Sequence, residues 1–288
     1  MQIVTDRGAD LSPEQLGDLN IHFAPLRLTL DGKTYASGVD IQPDEFYHLL
    51  SETESFPITS QPSAGEFAAL YRQLAQTDPD ILSIHISSGL SGTINSARAA
   101  VEMVPEANIT LVDSKTLSCP LGWQVEAAAR AIRLGWSLPD VLERLAHIGE
   151  QAEGLFTLNS LKYLIHGGRI SHLKGLLASL LNIKPVIGVE REHGRYISHG
   201  QEVTLKRAIQ KLVDVVTQRY PEGTLLRVQP LHGDNLEAVH LMMAKLEERF
   251  EMRREAITSV APVLGAHTGP SLVGMGVGPM ALFADLLA

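Results

Sequence analysis

The chain has 288 residues, 24 Lys+Arg against 33 Asp+Glu for a net charge of −9, 44% hydrophobic and 20% charged residues, and a single cysteine. That length and composition favour two globular domains with a sizeable core and exclude long disorder, while the acidic balance without a Lys/Arg cluster excludes an electrostatic nucleic-acid footprint. Cys119 alone excludes an internal disulfide framework, and with no run of about 18–20 apolar residues and no apolar leader at the start, a cytoplasmic protein is expected, with at most transient membrane contact.

The first half alternates short apolar runs with amphipathic stretches. Gln2–Thr5 reads as a strand, and Ser12, Pro13 and Gln15 spell a helix start with a capping box. Ile21–Leu30 alternates as a strand, and Asp31–Gly32 turns it into Thr34–Ala36. Pro43 starts a helix through Leu50, Glu52–Pro62 reads as a loop, and Ser63 with Glu66 caps a helix over Gly65–Ala75. The clearest unit follows: strand Asp80–Ile86, a Gly/Ser-rich loop Ser87–Gly92, helix Thr93–Val104 and strand Asn108–Val112. Strands alternating with helices imply a parallel sheet covered by helices. Helices over Leu121–Leu134 and Leu138–Gln151, the latter capped by Ser137, close this half.

The pattern then restarts. Asn159–Ile165 reads as a short helix stopped at Gly167–Gly168, Leu173–Leu181 as a buried Leu-rich helix or the lining of an apolar tunnel, and Ile183–Glu190 as a strand turning at Glu192–Gly194 into Arg195–Ser198. Helices Thr204–Tyr220 and Leu236–Phe250 alternate with strands Thr224–Gln229 and Arg254–Ser259, before a Gly-rich end. The expected fold is α/β with two domains, residues 1–154 and 155–288, the first built on a mainly parallel sheet flanked by helices.

Three polar loops could carry chemistry. Thr59-Ser60-Gln61-Pro62-Ser63 offers hydroxyls and free N–H groups at a helix start, where anions are favoured, although taken alone a capping loop explains it better. Ser87-Ser88-Gly89-Leu90-Ser91-Gly92-Thr93 lies at the carboxyl end of a strand, where α/β folds bind ligands, but lacks the Gly-Lys-Ser/Thr ending of a nucleotide phosphate loop. The third feature pairs His166-Gly167-Gly168-Arg169 with Gly265-Ala266-His267-Thr268-Gly269-Pro270. Taken singly, Gly167 reads as a helix stop, Arg169 as a surface charge and His267 as a core histidine.

Other signals fail. Gly274-Met-Gly276-Val-Gly278 has only ten residues after it, too few for a dinucleotide-binding unit. The histidines lack zinc-ligand spacing, so no metal is expected. His85 reads as core, and Cys119 as inert.

Together these loops resemble the DegV family of fatty-acid-binding proteins. The resemblance runs in order through Ile3-Val4-Thr5-Asp6, Thr59–Ser63, Ser88–Thr93, Val112-Asp113-Ser114, Gly167-Gly168-Arg169-Ile170, Ile183-Lys184-Pro185 and Gly265–Pro270. It implies two α/β domains with a long-chain fatty acid between them, no other cofactor, and, as in the best understood members, a binding subunit that presents the carboxylate to a separate ATP-dependent fatty acid kinase. It also implies that Thr59 and Ser91 hydroxyls bind the carboxylate, that the Gly92 backbone lies close to it, and that Arg169 and His267 flank it, with Ser60, Ser88 and Thr268 in support. Arg7, where the family usually has Ser, and Ser271, where it usually has Gly, depart from the pattern. The rival reading is a serine esterase or thioesterase using Ser91 or Ser88 with His267 as base. Against it, Gly89-Leu90-Ser91-Gly92 departs from the Gly-x-Ser-x-Gly elbow, and no Asp is evident to orient the histidine. A third reading, a regulatory module binding an anion without lipid, would have a pocket too small or too polar for a tail.

Overall fold

The computed structural model describes residues 1–173 and 183–287. Apart from Leu173, which ends a 3-10 turn over Arg169–Leu173, the Leu-rich stretch expected to be helical lies outside the described residues.

Four strands, β1 (Gln2–Asp6), β2 (Ile21–Ala24), β6 (Asp80–His85) and β7 (Asn108–Asp113), form a parallel sheet in the order β2-β1-β6-β7. Strands β3 (Arg27–Leu30), β4 (Lys33–Ala36) and β5 (Ile58–Ser60) form a small antiparallel sheet in the order β4-β3-β5. The alternating run Ile21–Leu30 is therefore two strands in two sheets. Pro25, which has no N–H to give to a ladder, lies between them. The expected loop before Ser63 holds a third strand, β5, which pairs Thr59 with Leu28. Both capping boxes form, Ser12 with Gln15 and Ser63 with Glu66, and Ser137 accepts from Asp140 N–H at the start of Leu138–Gln151.

The second sheet has seven strands: β8 (Glu153–Thr157), β9 (Lys184–Val189), β10 (Tyr196–Glu202), β11 (Leu226–His232), β12 (Met252–Arg254), β13 (Thr258–Ser259) and β14 (Val273–Pro279). It is mostly antiparallel, with order β10-β9-β8-β14-β11-β12 and β13 also paired to β11. Strand β8 runs across residues 154 and 155, the position at which the two segments were divided from the sequence. The Gly-rich end supplies β14, which lies inside the sheet between β8 and β11.

Helices Leu205–Arg219 and Leu236–Glu247 pack on one face of this sheet through Ile209, Leu212, Val239 and Met242. Helix Ser118–Arg133 packs against both sheets, with thirteen of its sixteen residues buried. The glycines of β14 make this close packing possible, since a Cβ at Gly276 would stand 2.6 Å from the Cys119 Cβ. Cys119 is buried, and burial pushes its thiol well above the usual range. His85 is fully buried, its Nδ1 2.9 Å from Asp6 Oδ2 and its Nε2 2.7 Å from Ser83 Oγ. Among the described residues no helix is long and apolar enough to cross a membrane, and no group of three or more His, Cys, Asp or Glu could hold a metal ion.

Candidate functional site

The three polar loops, far apart in sequence, meet where the small sheet faces the second half. The strand alternation of β5 exposes Ile58, at 67%, and turns Thr59 inward. Thr59 Oγ1 lies 2.8 Å from Nε2 of His267, 208 residues away, in the last turn of helix Pro262–Thr268. The other ring nitrogen, Nδ1, is buried without a partner among the described residues. Burial, reinforced by the Arg169 charge, pushes the His267 pKa down to about 3, so the ring is neutral at pH 7.

Gly167 faces that nitrogen. A Cβ at Gly167 would stand 2.1 Å from His267 Nδ1, whereas its φ of −70° is ordinary for any residue. The helix Lys162–His166 is instead turned off by Gly168, at φ +75°. Gly167 is thus required by close approach rather than as a helix stop. Gly167→Ala is expected to push the imidazole off Thr59 and weaken ligand binding about tenfold, the scale of one lost hydrogen bond. Comparing the ring signals of His267 by NMR in the two proteins checks this; an unchanged ring environment would refute it.

Arg169 follows directly. Its Nη1 donates to Gly167 O at 2.6 Å, and among the described residues no acid pairs with it. Burial lowers its pKa, but a guanidinium stays charged in proteins. The half-buried cation is therefore uncompensated.

The Ser91 loop is held by the β9–β10 hairpin. Ser87 donates to Gly194 O at 2.8 Å and accepts from Gly89 N–H at 3.1 Å. A Cβ at Gly89 would stand 2.3 Å from His193 O, so only glycine fits. Ser91 Oγ lies 2.9 Å from Thr93 Oγ1 and accepts from Thr93 N–H at 3.3 Å. Gly92 precedes helix Thr93–Val101, and its N–H has no acceptor among the described residues.

Two adjoining cavities result. The first is lined by Thr59, Ser60, Gln61, Ser91, Arg169 and His267 on its polar side and by Leu26, Ile86 and Leu90 on its apolar side. The second is lined by Leu155, Phe156, Leu231, Val260, Leu272 and Met275, with Ser118 and Thr268 as its Ser/Thr hydroxyls. Leu117, Tyr196 and Leu264 line both and form the wall the two share. The cavities are narrow, about 40 and 30 Å³, against ~300–1,000 Å³ for ordinary small-molecule pockets. A long tail therefore requires the apolar walls to part.

Thr59, Ser60, Ser91, Arg169 and His267 all line the polar chamber, and Gly92 adjoins it, since a Cβ there would stand 2.6 Å from Gln61 Nε2. Two of the expected supporting residues lie elsewhere. Ser88 is exposed and outside both linings, its N–H donating to Asp113 Oδ1, while Thr268 donates to Leu264 O and faces the apolar chamber. Arg7 stacks on Phe23, 4.0 Å from the ring centre, and Ser271 accepts from Asn159 N–H, so neither departure from the family pattern reaches a chamber. Sequence reasoning missed Tyr196, an ordinary strand tyrosine by pattern, and Leu264. It also gave no role to Gln61, although the quoted motif contains it.

A model of the family described as "Uncharacterised protein, DegV family" matches residues 1–279. The chain belongs to the DegV family. It is 36% identical over 275 residues to a DegV domain-containing protein of Staphylococcus aureus, covering 96% of this chain and 97% of the relative. A solved DegV family protein of Thermus thermophilus, described by its fatty acid binding, superimposes with a TM-score of 0.88 at 30% identity, covering 96% of this chain and 99% of its own. DegV of Bacillus subtilis, described as a fatty acid binding protein, gives 0.85 at 27% identity, covering 96% and 98%. The mixed α/β fold, with its parallel sheet and second sheet, is thus that of DegV proteins that bind fatty acids.

Proposed function

We propose that this protein binds a long-chain fatty acid with its tail in the apolar chamber and its carboxylate in the polar one, and presents it to a separate ATP-dependent kinase for acyl-phosphate formation. The observation that carries the reading is Arg169, a half-buried cation without an acid partner among the described residues, set with the hydroxyls of Thr59, Ser60 and Ser91 and a neutral imidazole beside an apolar chamber. An anion restores charge balance there, and a tail continues naturally past Tyr196. With the Nε2–H tautomer, His267 donates to Thr59 Oγ1 and leaves the Thr59 proton for the carboxylate; the orphaned Nδ1 then carries only a lone pair. The unused Gly92 N–H at a helix start supplies another donor. Ser60 and Gln61 are exposed at the rim, so a second protein can reach the carboxylate, whose oxygen would attack the γ-phosphorus of ATP as ADP leaves.

The tail dominates affinity. Burying about fifteen methylenes at ~0.8 kcal/mol each is worth roughly 12 kcal/mol before association costs, against about 0.5–3 kcal/mol for each head-group hydrogen bond. Ser91→Ala is accordingly expected to weaken binding only about threefold to tenfold and to misorient the carboxylate rather than empty the chamber. Occupancy and acyl-phosphate yield both equal to wild type would sink the role of Ser91.

No observation favours the hydrolase. The Nε2 of His267 is taken by Thr59, its Nδ1 has no acid partner among the described residues, and no hydrogen bond joins it to Ser91 or Ser88. The deciding experiment is denaturing extraction of purified protein with mass spectrometry of the extract. About one fatty acid per chain supports the binding reading; no lipid, and none taken up on incubation, overturns it. Hydroxylamine trapping of acyl phosphate with ATP and the host's kinase subunit tests the second step.

A further inference from the structure

We propose that Asp10 is a positioning residue of the ligand site, its one buried carboxylate holding in place the two walls where the polar and apolar chambers meet. The inference rests on the fatty-acid reading above. Asp10 follows β1 and is 5% exposed. Its Oδ2 accepts the Ser118 hydroxyl at 2.5 Å and its Oδ1 accepts the Ala261 N–H at 2.9 Å.

Each donor belongs to a different wall. Ser118 lines the apolar chamber and Leu117 beside it lines both; Ser118 sits in the left-handed region, φ +57°, where a non-glycine residue needs to be held. Ala261 opens helix Pro262–Thr268, which brings Leu264 to both chambers and His267 to Thr59. The backbone of Asp10 is itself fastened, because its carbonyl accepts from Gln229 Nε2 at 3.0 Å and Gln229 also bonds Gln15, Trp123 and Thr258. One side chain thus ties the head-group histidine's helix to the tail wall across the two halves of the chain.

Stability alone does not account for a carboxylate here. No cation pairs with Asp10 among the described residues, and burial pushes its pKa from 3.8 up to about 6 despite both hydrogen bonds. The titratable groups facing it, Tyr47 from helix Pro43–Glu52 and Cys119 from helix Ser118–Arg133, are both pushed well above their usual values and stay neutral at pH 7, and Asp234 and Arg227 act at one remove on Tyr47 and Cys119. Because the folded state binds the proton more tightly than the unfolded state, protonation favours folding, and that contribution is lost as pH rises through about 6. A carboxylate gives two charge-assisted acceptors, one for each wall, whereas an amide has one acceptor oxygen and its nitrogen cannot accept from the second donor.

Asp10→Asn should abolish the fall in stability that this carboxyl gives wild type as pH rises from about 4 to about 6, and should bind palmitate about threefold to tenfold more weakly at pH 7.5, measured by displacement of a fluorescent fatty acid. Ser118→Ala, which cuts only the tail-wall tie, should weaken palmitate binding while leaving the NMR signals of the His267 ring in place. Asp10→Asn binding as tightly as wild type, or Ser118→Ala leaving affinity unchanged, would overturn the positioning role while the fatty-acid reading stands. A wild type that binds no palmitate overturns both.

Discussion

Arg169→Gln should lower fatty-acid affinity about tenfold to a hundredfold, the range expected when a charge-assisted hydrogen bond is lost from a partly desolvated site. The fold should not suffer, because the guanidinium is half-buried, lacks an acid partner, and carries a desolvation cost that glutamine removes. The charge of Arg169 also helps to keep His267 unprotonated, so its removal should raise the imidazole pKa from about 3. Titration calorimetry against a fatty acid and an NMR titration of His267 measure the two effects on one protein. Affinity equal to wild type would mean that the carboxylate lies elsewhere and that Arg169 compensates nothing.

Arg227→Ala should destabilise the protein by about 3–5 kcal/mol, since it breaks a buried ion pair from one side. Arg227 is 1% exposed; its Nη2 donates to Glu126 Oε2 at 2.6 Å and its Nε to Glu255 Oε1 at 2.8 Å. The guanidinium also lies 4.8 Å from the Trp123 ring centre and 4.7 Å from that of Phe283. Glu126, 2% exposed, would keep only Arg130. Arg227→Met with Glu126→Gln removes charge from both sides and should cost less than the single change, because no buried charge of this pair is stranded. Urea denaturation ranks the variants; a loss below about 1 kcal/mol for Arg227→Ala would show that the pair is no support of the central helix.

These two arginines differ in a way no sequence window reveals. Arg169 follows a glycine and Arg227 interrupts the apolar run Leu225-Leu226-Arg227-Val228, and neither is marked out by its neighbours. A partner 101 residues distant for Arg227, and the lack of an acid partner among the described residues for Arg169, separate a structural cation from the one proposed to bind ligand. Tyr196 was equally illegible: its strand pattern is ordinary, and only the meeting of β10 with helix Pro262–Thr268 and Leu117 makes it a wall of both chambers.

What the sequence determined by itself was local. Ser12 with Gln15, Ser63 with Glu66 and Ser137 set helix starts because a cap acts within three residues, and the unit from Asp80 to Asp113 follows from periodicity inside single elements. The ordered motifs also carried the family and named five residues of the polar chamber's wall. Tertiary structure decided the rest. It split Ile21–Leu30 between two sheets, turned the Glu52–Pro62 loop into β5, and placed the Gly-rich end inside the second sheet, because each of those outcomes depends on a partner strand remote in the chain. It decided too that Gly167 is small for the sake of His267, that Thr59 and His267 share a hydrogen bond, and that Asp10 reaches both walls. Hydrogen bonds and close contacts act over a few ångströms, so residues far apart in the chain make a site only after the fold has brought them within that range.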